Sequence, residues 1–455
     1  MNPALDSLTI RELAELGSDR DRLHAVDVWG RQCGWCREPI RLRSRTTTLD
    51  KSTGEILESD GGEYLKACGT RRATRCPACA ERYRGDAREI VGAGLRGGKG
   101  VPESVSSHPA VFVTLTAPSF GAVHRVSSRG ERRCREGRER RCVHGALLTC
   151  HQRHDSRDGR VGSPLCPQCY EYERAVVWNA LASELWRRTT IYIRRELAHE
   201  LGLGEAEFRR RVQLSFAKVV EYQRRGAIHI HAVIRIDTPG EELHAGDVEV
   251  VSVIEAVRMA ARAVFVRYPE QLGGVARFGR ELRIDRLEPG DSRNRRRMSG
   301  YVAKYATKSS DANGGLDRRL QSLSDLNRRE LPPHLRRLAE TAWGLEGSRE
   351  FKALGMRRFA HTLGFRGHWL TKSRRWSTTF TALRTERERW REHQRGDVAP
   401  VAEGETVEVS RRWRYCGVGW ETAGEAMYVE SRRKREELGR LIEREAFGSP
   451  GREGP

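Results

Sequence analysis

Two β-rich runs, Leu214 to Tyr222 and Ala227 to Ile236, are separated only by Gln223-Arg224-Arg225-Gly226. A link this short makes them an antiparallel hairpin. Hairpin geometry then dictates which side chains can meet. Because side chains alternate along a strand with period two, His229 and His231 project from one face and both imidazoles can reach one cation. Glu221 stands eight residues before His229 on the facing strand, where the short turn can bring its carboxylate beside the imidazoles. Two nitrogens and one carboxylate with open positions suit Mg²⁺ or Mn²⁺ acting as a Lewis acid. Two plainer readings stay open: a His-x-His pair also suits hydrogen-bonded core histidines, and Glu221 also suits a solvated hairpin position.

Further along, Tyr301 and Tyr305 lie four residues apart in a segment expected to be helical over about 298–309, so they share a face. Lys304 and Lys308 belong to the same short helix, and a cation beside a phenol lowers its pKa and steadies phosphate charge. Tyrosines at this spacing also suit a core-packed amphipathic helix, which would not need the lysines. A metal that polarises a phosphodiester beside a phenolic nucleophile is equipped to cut and rejoin DNA. The basic run containing Arg293, Arg295, Arg296 and Arg297 leads into this helix and is the expected DNA-binding segment.

Charge points to the same partner. The 455 residues include 83 Lys plus Arg against 62 Asp plus Glu, a formal surplus of 21 positive charges. Nucleic acid is the default partner for such a field, with a basic ribosome-associated scaffold as the competing reading. No apolar run of about 18 residues appears, and the N-terminus lacks the basic-then-apolar order of a signal peptide, so a cytoplasmic protein without a membrane partner is expected.

The eleven cysteines then read as metal ligands or buried thiols rather than disulfides. Cys33-x2-Cys36 and Cys76-x2-Cys79 are the two knuckles of a zinc ribbon, with Cys68 as a spare or substitute ligand. A second set, Cys142, His144, Cys150, His154, Cys166 and Cys169, offers more ligands than one tetrahedral site needs. Cys142, Cys150, Cys166 and Cys169 are the expected four. One or two structural Zn²⁺ follow, alongside the Mg²⁺ or Mn²⁺ of the nuclease site.

The expected architecture is α+β, a central antiparallel sheet with flanking helices, an N-terminal zinc-ribbon-like module and a mainly helical C-terminal region. Residues 1–105 form the Cys-rich module and 106–310 the sheet domain, interrupted by a Cys/His-rich insertion at about 124–169. Residues 311–442 are helical and rich in Arg and Trp, and 443–455 form a disordered tail. Within this frame His108 to Ser119 reads as a buried strand, 170–197 as a long helix, Asp247 to Tyr268 as a helix and Arg277 to Leu287 as a strand. Gly92-x-Gly94-x-x-Gly97 matches a dinucleotide fingerprint by letter only, and no G-x-x-x-x-G-K-[ST] sequence occurs, so unwinding falls to a separate helicase.

His229-Ile230-His231, the upstream strand Val113-Thr114-Leu115-Thr116, and Gly300 to Lys308 with its two tyrosines resemble the HUH endonuclease superfamily. The Cys33 to Cys36 start, Cys76 to Cys79, His108 to Ser119 and Leu165 to Ala180 resemble replication initiators of actinobacterial plasmids and integrative conjugative elements. Together these cover most of residues 30 to 380. The resemblance implies Tyr305 and Tyr301 as nucleophiles, His229 and His231 as ligands and Glu221 as third ligand. It further implies a 5′-phosphotyrosine link at an origin of rolling-circle replication, a free 3′-hydroxyl for a host polymerase, and a host helicase. Neighbouring plasmid initiators carry Glu where Tyr301 stands, so Tyr301 is either a second nucleophile or a supporting hydroxyl. A two-tyrosine transposase and a zinc-stabilised DNA-binding regulator without nuclease activity are the alternatives, and a homodimer stays open.

Overall fold

The structure is a computed structural model that describes residues 7–50, 53, 56–127, 133–238, 248–308, 316, 318–328, 330–346, 349–395 and 407–446. The chain begins with α1 (Ser7–Ser18), α2 (Arg20–Cys33), β1 (Ile40–Asp50), β2 (Ile56–Lys66) and α3 (Pro77–Arg96). Then come β3 (Ala110–Thr116), α4 (Tyr172–Glu200), α5 (Glu205–Arg211), β4 (Gln213–Tyr222), β5 (Ile228–Asp237) and α6 (Val250–Ala263). Short strands β6 (Phe265–Arg267) and β7 (Val275–Arg277) precede β8 (Leu282–Leu287) and α7 (Ser292–Lys308). The remainder holds α8 (Ser324–Asn327), α9 (Pro333–Gly344), α10 (Arg349–Leu354), β9 (Leu370–Lys372), α11 (Phe380–Arg395), β10 (Val407–Val418) and α12 (Ala423–Ala446). The protein is thus α+β, and its sheets are antiparallel.

Two compact units result, one of residues 85–383 and one joining 1–84 to 384–455. This division differs from one at 105 and 310 because β10 pairs antiparallel with β1, from Ile40 opposite Val418 to Asp50 opposite Val407. The region beyond 311 therefore contributes strands as well as helices. Helix α12 runs on to Ala446, into the expected tail, and residues 447–455 lie outside the described set.

The larger unit is built on a five-stranded sheet in the order β8-β3-β5-β4-β9. Period-two alternation splits its side chains cleanly. Val111, Val113, Leu115, Ile230, Ile234 and Val220 enter the core that contains Trp178, Leu185, Ile193 and Leu197 of α4. Each such side chain contributes roughly 1.5–3 kcal/mol by leaving water. The opposite face carries Thr114, Thr116, Glu221, His229 and His231, with α7 packed against β4. Both faces are covered, which is why β5 is buried at nearly every position even where it carries His231 and Arg235.

One buried residue of α4 fixes the hairpin. Asn179 donates to the carbonyls of Gly226 and Leu363 at 2.9 Å each and accepts from the Ile228 amide at 3.0 Å. Gly226 sits at φ 75° with Leu338 packed where a Cβ would stand, so only glycine turns the chain here. Asn179→Ala is expected to lower stability by about 3 kcal/mol, because it strands three buried backbone groups and leaves a void. Chemical denaturation monitored by tryptophan fluorescence checks this, and a loss under about 1 kcal/mol would refute the clamp.

In the other unit β1 is the middle strand between β10 and β2. Among the described residues its main apolar cluster is small, with Leu16, Val26, Trp35 and Val429 buried. Polar ties supplement it. Arg22 bonds Glu425 at 2.7 Å, the Tyr428 hydroxyl donates to Asp27 at 2.8 Å, and the Trp420 indole donates to the Cys36 carbonyl at 3.0 Å. A second buried cluster consists of Cys33, Cys36, Cys76 and Cys79.

Candidate functional site

Strand pairing assembles the centre of the larger unit. Glu221 stands opposite His229, Val219 opposite His231, and Thr114 and Thr116 flank the two histidines from β3. The imidazoles stack at 4.7 Å between centroids and are tilted by only 13°. Although Glu221 is the register partner of His229, its carboxylate turns to His231, with Oε2 3.4 Å from Nε2. A proton on Nε2 accounts for this contact as a hydrogen bond, and once that proton is lost the same nitrogen and oxygen could share a cation. On the other side of that ring, Nδ1 meets the Thr114 hydroxyl at 3.1 Å.

His229 is held from two directions. Its Nε2 lies 3.5 Å from the Thr116 hydroxyl, and its Nδ1 lies 3.3 Å from Gln223 Nε2. Arg225 orients that glutamine by donating from Nε to Oε1 at 2.9 Å. Burial, reinforced by the charges of His231 and Arg225, lowers the His229 pKa to about 4. The ring is therefore neutral at neutral pH, the form a metal requires.

Over this face α7 lays both tyrosines. The Tyr305 ring is 4.6 Å from that of His231 and the Tyr301 ring 6.0 Å away. The Tyr305 hydroxyl donates to that of Tyr301 at 3.0 Å. Phe112 supports the group from below, stacked on His231 at 5.8 Å and edge-on to Tyr301 at 5.5 Å. Tyr301 is exposed and Tyr305 half-buried.

For Tyr305 the shift runs against the lowering that a neighbouring cation would give. Burial raises the Tyr305 pKa well above the ordinary phenol value, helped by the Tyr301 hydroxyl and the charge of Glu221. Lys304 is exposed on the helix, and the side chain of Lys308 lies outside the described set. The basic run is also divided, being the first turns of α7 rather than a lead-in to it. Arg293, Arg296 and Arg297 are exposed, but Arg295 is fully buried. Its guanidinium donates to the carbonyls of Leu95 and His108 at 3.2 Å and Glu288 at 3.3 Å, so it holds the fold and cannot meet a phosphate.

Beside the histidines opens a cleft of about 660 Å³. Thr116 and Gln223, the partners of His229, line one end, and Arg125, Arg135, Arg224 and Arg280 make its wall basic.

Four-ligand Cys/His sets form three times among the described residues, and each can hold a metal ion. The first is Cys36, Cys68, Cys76 and Cys79, so Cys68 takes the place expected for Cys33. Cys33 is the last residue of α2, and its Sγ turns back to the Gly30 carbonyl of the same helix at 3.6 Å. The expected quartet Cys142, Cys150, Cys166 and Cys169 does not assemble. Cys150 joins His124, Cys134 and His154, whereas Cys142, Cys166 and Cys169 gather around His144. His124 and Cys134 lay outside the sequence-derived sets, as did the orienting roles of Thr114, Thr116 and Gln223. Thr114 and Thr116 alternate on their strand with the same period as His229 and His231, and that period is the signal that finds them.

The sequence matches the family described as RepSA, replication initiator protein, pSAM2, over residues 23–434. The chain belongs to the RepSA replication initiator family. It is similar to a replication initiator protein of Streptomyces ambofaciens, 37% identical over 462 residues spanning 97% of this chain and 96% of that protein. No solved structure matches the fold of this initiator significantly. Among the described residues, no helix is long and apolar enough to cross a membrane.

Proposed function

We propose that this initiator nicks one DNA strand at a double-strand origin by tyrosine transesterification of the HUH type, and later rejoins it. The observation that carries the reading is that both phenols of α7 meet the His231 ring, Tyr305 tilted at 4.6 Å and Tyr301 edge-on at 6.0 Å between centroids, with His229 and Glu221 beside it. His229, His231 and Glu221 would hold Mg²⁺ or Mn²⁺, which polarises a phosphodiester for attack when bound. Gln223 and Thr114 fix the imidazoles, and Phe112 sets the depth of the pair beneath Tyr301. Tyr305 attacks phosphorus, its oxygen forms the 5′-phosphotyrosine bond and the 3′-oxygen leaves, taking a proton to become the hydroxyl that a host polymerase extends. The proton that Tyr305 gives up passes to the leaving 3′-oxygen, and the Tyr301 hydroxyl, which accepts the Tyr305 hydrogen bond, is either a supporting hydroxyl or the nucleophile of the second strand transfer.

Exposed Arg293, Arg296 and Arg297 and the basic cleft bind origin DNA, and the overall surplus of 21 positive charges favours that encounter. Strand joining conserves the phosphodiester energy, so only unwinding calls on a host helicase. In an assay on supercoiled origin DNA, nicking is expected with Mn²⁺ and none with excess chelator. His229→Ala combined with His231→Ala is expected to abolish nicking, by on the order of 10³-fold or more, while DNA binding persists. Robust nicking in chelator would defeat the reading.

A further inference from the structure

We infer that the 124–169 insertion binds two zinc ions through ligand pairs that alternate along the chain. Four pairs occur in order: His124 with Cys134, Cys142 with His144, Cys150 with His154, and Cys166 with Cys169. The first and third pairs converge on one point, the second and fourth on another.

Distances within each set match a tetrahedral ion. Zinc bonds of about 2.0–2.1 Å to nitrogen and 2.3 Å to sulfur put neighbouring ligand atoms about 3.3–3.8 Å apart. In the first set His124 Nδ1 lies 3.1 Å from His154 Nε2, Cys134 Sγ 3.8 Å from His124 Nδ1, and Cys150 Sγ 3.4 Å from His154 Nε2. In the second, His144 Nδ1 lies 3.2 Å from Cys169 Sγ, 3.8 Å from Cys166 Sγ and 4.0 Å from Cys142 Sγ.

Outer contacts support ligation at the first set. Asp158 binds His154 Nδ1 at 2.6 Å, which fixes the ring with Nε2 toward the other ligands. The Arg125 amide donates to Cys134 Sγ at 3.1 Å, as an amide does to a thiolate. His154 and Cys134 are buried although the described residues of the insertion form only isolated bridges and turns. Such a segment has little apolar core, and metal ligation supplies what a core would.

Alternation has a consequence that two sites in tandem would lack. Each ion closes a loop containing ligands of the other, so losing either one loosens the site of the other. The module also reaches the proposed nuclease site. Arg224 of the β4–β5 turn donates to the Asp158 carbonyl at 3.3 Å, and Gly162 packs so tightly on the Arg224 backbone that a Cβ there would lie 2.4 Å away. Its Arg125 and Arg135 form one wall of the basic cleft.

Zinc analysis of the full-length protein by plasma mass spectrometry tests the inference without reference to cleavage. Cys134→Ser with Cys150→Ser, and separately Cys166→Ser with Cys169→Ser, are each expected to lose at least one zinc. To guard against misfolding, His124→Cys keeps a complete ligand set. In its cobalt-substituted form, thiolate-to-cobalt charge-transfer absorbance is expected to rise, because one more sulfur meets the ion. Unchanged zinc in either serine variant, or unchanged cobalt absorbance in His124→Cys, would overturn the two-ion module.

Discussion

Tyr305→Phe is expected to eliminate the covalent protein–DNA adduct and to slow origin nicking by on the order of 10⁴-fold or more, as removal of a nucleophile does in covalent catalysis. Tyr301→Phe is expected to leave first cleavage largely intact while impairing the later strand transfer. The geometry separates the two phenols. Tyr305 is nearer to His231, at 4.6 Å against 6.0 Å between rings, and it is Tyr305 that donates to Tyr301. Because burial raises the Tyr305 pKa, its phenol starts protonated at neutral pH, and nicking should accelerate as pH rises through the alkaline range. Mass spectrometry of the peptide trapped on a cleaved oligonucleotide is the decisive measurement. An adduct only on Tyr301 would reverse the assignment.

Much of this centre was legible because it is local. A four-residue link between two runs specifies a hairpin, and period two then specifies that His229 and His231 share a face. The tyrosine helix, the long helix of 172–200 and the strand carrying Thr114 followed from the same periodicities. What the sequence did not disclose was settled by distant partners. Nothing near Val407 to Val418 announces that its pairing partner is β1, and its Arg and Trp residues suit a helix equally well. Arg295 reads as one more cation in a basic run, yet helical periodicity turns it inward to three carbonyls while its neighbours face out. Lys304 is adjacent to Tyr305 in sequence, and adjacency on a helix points side chains apart.

Cysteine spacing shows the same limit. Cys68→Ser is expected to release the metal held by the N-terminal set, weakening zinc retention by at least about 10²-fold, beyond the 10–100-fold range for outer-shell changes. Cys33→Ser is expected to retain it. The two thiols are distinguished by direction alone, one gathered with Cys36, Cys76 and Cys79, the other turned back on its helix. Since the apolar core of that unit is small, the Cys68 variant should also unfold at markedly lower temperature. Zinc retention against a chelator and calorimetry of both variants check this. Equal loss in the two would restore Cys33 to the ligand set.

The pairing of β10 with β1 sets an order of manufacture. Ile40 leaves the ribosome long before Val418, its eventual neighbour, and at about 5–20 residues per second the wait is roughly 20 to 75 seconds. Within that interval every strand of the His229 sheet is made, from β3 to β9, whereas the first sheet still lacks an edge. A nascent chain interrupted between residues 383 and 407 would carry the complete His-Tyr centre while its opening sheet was never closed.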